Sequence, residues 1–144
     1  MIRPIQTEYD GHRFRSRLEA RWAVFFNEMG WVYHYEAEGY TFVYQGEVVK
    51  GYLPDFFVPK LDAFVEVKGP LMTEVETFKL CGLCENHDKN GYAFREIPKE
   101  HGDNKFASEK VYGPILRTHI FKYDGINKAL DKARKARFEY GEKG

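Results

Sequence analysis

Cysteine is scarce in this 144-residue chain, long apolar runs are missing, and net charge is absent. Cys81 and Cys84 are the only two cysteines, too few for the disulfide framework of small secreted domains, which fits a reducing compartment. No stretch approaches the roughly 20 apolar residues that cross a bilayer, and no short apolar segment near the start marks a secretion signal. The expected setting is cytoplasmic, with no membrane partner. Lys and Arg number 22 and Asp and Glu also number 22, so the simplest electrostatic signature of a polyanion partner is lacking. Distribution says more than the sum. Arg3, Arg13, Arg15, Arg17 and Arg21 crowd the beginning, Lys128, Lys132, Arg134, Lys135 and Arg137 the end, and acidic residues concentrate between them. Solvated charged faces are ordinary, so these clusters matter only if phosphate chemistry accompanies them.

What the chain does have is apolar mass. Hydrophobic residues make up 43% and aromatics 17%, enough for one core, and the expectation is a single domain over 1–144. Residues 1–14 show no clean period and read as an extended lead-in. Ser16-Arg17-Leu18-Glu19 is a capping-box pattern, and Leu18, Trp22, Phe25 and Met29 repeat at helical spacing up to Gly30. Strands are expected at Trp31–Tyr35, Tyr40–Tyr44, Val48–Leu53, Phe56–Val58 and Ala63–Val67, then a helix from Thr73-Glu74-Val75-Glu76 to about Asn86. Gly91–Ile97 and Ile115–Phe121 read as further strands, 99–110 as a polar surface loop, and 126–144 as a basic amphipathic helix and tail. The order makes an α/β protein with a mixed sheet.

The chemistry concentrates in 52–69. Two strand-forming runs flank Pro59-Lys60-Leu61-Asp62, so an antiparallel hairpin is the natural reading. A turn centred between Lys60 and Leu61 sets Asp55 directly across from Glu66. Opposed residues have Cβ atoms about 4.5–5.5 Å apart, and carboxylates that close repel unless a cation lies between them. Lys68 follows Glu66 by two residues and shares its face. Hard oxygen donors suit Mg²⁺, with Mn²⁺ as substitute. Such a metal acidifies water and neutralises charge on a phosphate, while an ammonium orients or helps deprotonate the attacking water. The bland alternative makes Asp55 a turn residue and Glu66 and Lys68 an exposed strand face. The Pro-Asp at hairpin distance and the apolar neighbours of every charge favour the chemical reading.

Pro54-Asp55 followed by Glu66-Val67-Lys68 resembles the PD-(D/E)xK signature of restriction-endonuclease-like nucleases. Phe14–Glu19, Tyr33-His34-Tyr35-Glu36, Tyr52–Phe56 and Phe64–Gly69 are similar, in motif and spacing, to phage Holliday-junction resolvases of the endonuclease I type. The resemblance covers roughly the first half of the chain. It implies a central mixed sheet flanked by helices and hydrolysis of DNA phosphodiesters by in-line attack of water. It further implies Asp55, Glu66 and the Val67 carbonyl as metal ligands, and Glu19 assisting with that metal or a second one roughly 3.5–4 Å away. For Glu19 the alternative is the capping box alone. Branched DNA is the implied substrate, a homodimer the implied assembly, and the host cytoplasm the setting if the chain is phage-encoded. Two other readings stay open: a non-cleaving DNA- or protein-binding module on the same fold, and a transposase-type endonuclease subunit active only in a complex.

Arg13, Arg15 and Arg17 stand just ahead of a helix N-terminus, a place suited to phosphate, and are candidate DNA-backbone contacts. Lys128, Lys132 and Lys135 are a second candidate group. Cys81-Gly82-Leu83-Cys84 with His87 has the spacing of half a zinc site, but no second half is evident, and buried free cysteines on a helix are the expectation.

Overall fold

The computed structural model describes residues 6–69, 71–99, 103–113 and 118–138. Among them the chain is an α/β protein with three helices, a mixed six-stranded sheet and two small hairpins. The strands are β1 (Thr7–Tyr9), β2 (His12–Phe14), β3 (His34–Tyr35), β4 (Tyr40–Tyr44), β5 (Glu47–Tyr52), β6 (Phe56–Val58), β7 (Ala63–Val67), β8 (Asn90–Phe94), β9 (Lys105–Tyr112) and β10 (Thr118–Lys122). The helices are α1 (Arg17–Met29), α2 (Glu74–His87) and α3 (Ile126–Lys135). The large sheet runs in the order β10-β9-β8-β7-β6-β3. β7 and β8 are parallel, which requires a crossover, and α2 supplies it. The chain's contacts cluster into two compact units.

One unit comprises 1–31, 96–106 and 120–144. Its lead-in is more ordered than its sequence promised, because β1 and β2 form a hairpin. Asp10 and Gly11 both take positive φ, 54° and 76°, the backbone hand that tight hairpin turns need. α1 starts at its expected cap, with the Ser16 hydroxyl accepting the Glu19 N–H at 3.1 Å, and stops at left-handed Gly30. Its buried face is broader than the Leu18/Trp22/Phe25/Met29 stripe. Ala20, Ala23, Val24 and Phe26 are buried, while Leu18 and Met29 are only half-buried. Trp22 and Phe25 pack on Phe106, and Phe106 stacks on Phe121. Trp31, expected in a strand, is buried against Phe25, Phe26 and Tyr123, so that strand shortens to His34–Tyr35. α3 packs on α1 through Ile126, Leu130 and Ala133. The helix is shorter than the expected 126–144 segment, and Ala136 lies past its end in extended conformation.

The other unit comprises 32–95 and 107–119. β4 and β5 form a hairpin around Gln45-Gly46, and α2 packs on β4, β7 and β8. The core there joins Phe42, Val49, Phe64, Leu80, Leu83 and Ala93. Gly82 is required by this packing, since a Cβ would come within 2.6 Å of the Phe42 ring. β7 is buried along its whole length. Glu66 is buried with the rest of the strand, so it does not stand on an exposed strand face.

Two other boundaries differ from the sequence reading. Residues 105–110 belong to β9 rather than to a loop, and β8 ends at Phe94 rather than Ile97. β9 is polar because several of its side chains stay outside the core, and its backbone still pairs with β8. Of the expected strand 115–121, residues 118–121 lie in β10 and 115–117 fall outside the described residues. No helix among the described residues is long and apolar enough to cross a membrane.

Candidate metal centre

The hairpin β6–β7 has the register expected from its sequence. Phe56 faces Val65, Phe57 faces Phe64 and Val58 faces Ala63. One step further brings Asp55, just ahead of β6, opposite Glu66. Two hydrogen bonds lock that step. The Asp55 N–H donates to Glu66 Oε1 at 3.0 Å, and the Val67 N–H donates to Asp55 Oδ2 at 2.8 Å. Each carboxylate is thus fixed by the opposing strand's backbone. A single-turn 3-10 segment, Pro59–Leu61, closes the hairpin, and Asp62 takes the left-handed backbone after it.

A third carboxylate joins from the other side. β3 pairs with β6 as His34 to Phe57 and Tyr35 to Phe56, and the Glu36 N–H continues the ladder to the Asp55 carbonyl at 2.9 Å. Carboxylate oxygens of Glu36 and Asp55 lie within 4.8 Å of each other. Glu36, Asp55 and Glu66 therefore form a row of opposed backbone positions, in which the Glu36 and Asp55 carboxylates approach each other. Glu36 has φ of 42°, a left-handed conformation that costs a non-glycine residue about 1 kcal/mol or more. The sequence reading assigned it no role. Its signal lay in the quoted Tyr33-His34-Tyr35-Glu36 stretch and in the β3–β6 register, which could be fixed only once β3 was located.

The polar groups around the row suit a hard cation. Glu66 is 5% exposed, so a carboxylate is held in a dry setting. The Tyr52 hydroxyl is buried, and burial, followed by the charge of Glu66, pushes its pKa up. Oxygen donors of this kind fit Mg²⁺ or Mn²⁺ better than a soft metal.

Lys68 follows β7, its N–H donating to the Phe94 carbonyl at 2.8 Å. Its ammonium makes an ion pair with Glu76 on α2. Burial pulls the Lys68 pKa down, but the Glu76 hydrogen bond and the charges of Glu66, Glu76 and Asp55 outweigh it and hold it above the ordinary lysine value.

Glu19, in the other unit, is buried, with its carboxylate accepting the Ser16 hydroxyl at 3.3 Å. Both basic clusters also fall in that unit. Arg13 pairs with Glu8, Lys132 with Glu28 and Lys135 with Asp131, while Lys128 is exposed. Arg15 is exposed and Arg17 half-buried at the first position of α1. Exposed pairs of this sort are worth roughly 0–1 kcal/mol and exchange readily for a phosphate partner.

Cys81 and Cys84 are free thiols. Cys84 is buried, and burial raises its pKa, which disfavours the thiolate a metal needs. Among the described residues the two cysteines and His87 do not bring three ligand atoms together. Comparison with family models, with curated proteins and with solved structures found no match to this chain.

Proposed function

We propose that this chain is a metal-dependent DNA endonuclease of the restriction-endonuclease-like kind, acting in the cytoplasm and selective for branched DNA such as four-way junctions. The observation that carries the reading is the row Glu36–Asp55–Glu66 across three neighbouring strands, with Lys68 two residues beyond Glu66. The Glu36 and Asp55 carboxylates, with oxygens within 4.8 Å of each other, are costly side by side unless a cation neutralises them. The substrate class comes from the resemblance in motif spacing, and so does the inclusion of Glu19 and of the Val67 carbonyl.

Asp55 and Glu66, with Glu36 beside them, would hold a divalent cation, Mg²⁺ with Mn²⁺ as substitute. When bound, that ion supplies Lewis acidity towards water and the scissile phosphate. The carboxylates fix its position because the hairpin backbone fixes them. Lys68, kept cationic, orients the attacking water and offsets the charge that grows on the phosphate oxygens. Basic residues of the other unit, Arg13, Arg15 and Arg17 and then Lys128, Lys132 and Lys135, are the proposed contacts for the DNA backbone.

The test is incubation of the full chain with supercoiled plasmid, linear duplex and a four-way junction, each with Mg²⁺, Mn²⁺ or EDTA. The expected result is cleavage with either metal, none with EDTA, and the junction cut fastest. Cutting duplex as fast as junction would remove the branched-DNA claim. DNA binding without cleavage of any of the three would leave a binding module or a subunit that works only in a complex.

A further inference from the structure

Glu76 sits at the third position of α2 and does two jobs at once. Its Oε1 accepts the Thr73 N–H at 2.8 Å, and the Thr73 hydroxyl accepts the Glu76 N–H at 3.1 Å, which completes a capping box. Its Oε2 pairs with the Lys68 ammonium. An ordinary surface glutamate gains little from a lysine partner because both side chains must be immobilised. This glutamate is already immobilised by the helix start.

Lys68 has the opposite problem. Its side chain has four carbons and several rotamers, and holding one of them costs about 2 kcal/mol. Its backbone is fixed by the bond to Phe94, but nothing in a strand fixes where an ammonium ends. The Lys68 and Glu76 side chains are 28% and 34% exposed, so water competes only in part. The capping box thus places a rigid negative group against the Lys68 ammonium.

We propose that Glu76 is a positioning residue: anchored by the α2 capping box, it holds the Lys68 ammonium in the reach and orientation that phosphodiester cleavage uses. This rests on the nuclease reading for its catalytic consequence, but the holding of Lys68 stands or falls by itself. Its role is exercised through Lys68. It couples the start of a helix to the end of the neighbouring strand, so the connection through Gly69 becomes part of the active geometry.

Glu76→Gln separates the two jobs, because glutamine also closes a capping box while carrying no charge. Two readouts are taken on the full chain. The first is ¹⁵N relaxation of lysine ammonium groups by NMR, with the Lys68 signal assigned by its loss in Lys68→Arg. Lys68 is expected to be restricted in the wild type and as mobile as exposed lysines in E76Q, with the melting temperature only modestly lowered at neutral pH. The second is kinetics on the cleaved substrate. E76Q is expected to lower kcat by about tenfold, as a misplaced catalytic group does, with KM unchanged within about twofold. K68A/E76Q should be no worse than K68A. Equal Lys68 mobility in the wild type and E76Q would overturn the proposal, and so would E76Q and K68A losses that multiply. If the wild type cuts no DNA, the nuclease reading fails, and the relaxation measurement still decides whether Glu76 holds Lys68.

Discussion

The two ends of the hairpin β6–β7 carry the same ingredients and treat them differently. At the closed end Asp62 meets Lys89 at 2.8 Å, and Lys89 also lies over the Phe57 ring. That pair is open to solvent, with the Asp62 side chain 59% exposed. At the open end Asp55 and Glu66 are gripped by the opposing backbone, Glu66 is buried, and Glu36 adds a third negative charge. An acid beside a lysine is bland where water screens it and each charge has its partner. Acids gathered in one row, half-buried at Glu36 and Asp55 and buried at Glu66, with one lysine nearby, leave a surplus of negative charge that a cation would satisfy.

Removing the open end's charge should break the contrast most sharply. Asp55→Asn and Glu66→Gln keep size and most hydrogen bonds, yet each should lower metal-dependent cleavage by on the order of 10²–10³, read as initial rates on the preferred DNA. Neither should destabilise the metal-free fold by more than about 1 kcal/mol, because like-charge repulsion is relieved at the same time. A rate loss that merely tracks a loss of folded protein would reduce the open end to packing.

Phe64 lies between the two ends and is 2% exposed. Phe64→Ala should cost about 3–5 kcal/mol in chemical denaturation, since it opens a cavity beneath α2. A cost under about 1 kcal/mol would mean the hairpin is not held rigidly by the core, and its register could not then be trusted to align Asp55 with Glu66.

A smaller effect should appear with pH. The Lys68 hydrogen bond, then the Thr73 backbone bond, holds the Glu76 carboxyl below its ordinary pKa. A depressed carboxyl pKa gives stability that is present above the unfolded value and fades as pH falls through the folded one. The melting-temperature difference between wild type and E76Q should therefore shrink as the solution is acidified below the usual carboxylate range, and a difference independent of pH would contradict this. Because Glu76 is partly exposed, the effect is modest. Least of all should come from Asp62→Asn at the closed end. It should shift stability by no more than about 1 kcal/mol and leave any cleavage untouched.

The hairpin was legible because its information is local. A short turn fixes register, and register alone aligns Asp55 with Glu66. α1 and α2 were legible for a similar reason: Ser16 and Thr73 are caps whose partners lie three residues on. Glu36 was not legible as a candidate ligand, because it follows a two-residue strand and turns left-handed, and neither feature has a pattern to read. β9 hid behind Lys105, Ser108, Glu109 and Lys110, whose polarity mimics a loop while their backbone pairs with β8. The Lys68–Glu76 contact combines two readable motifs, but their meeting depends on how the chain passes from β7 to α2. Cys81-Gly82-Leu83-Cys84 looked like half a metal site and is a packing motif, with Gly82 against Phe42 and Cys84 beside Gly91.

The open end of the hairpin is the proposed seat of a divalent cation. Calorimetric titration of Mn²⁺ into the metal-free chain, beside Asp55→Asn and Glu66→Gln, tests it most directly. The expected result is a saturable site in the wild type that both substitutions abolish or weaken severely. Unchanged Mn²⁺ binding in both variants, or none in the wild type, would contradict it.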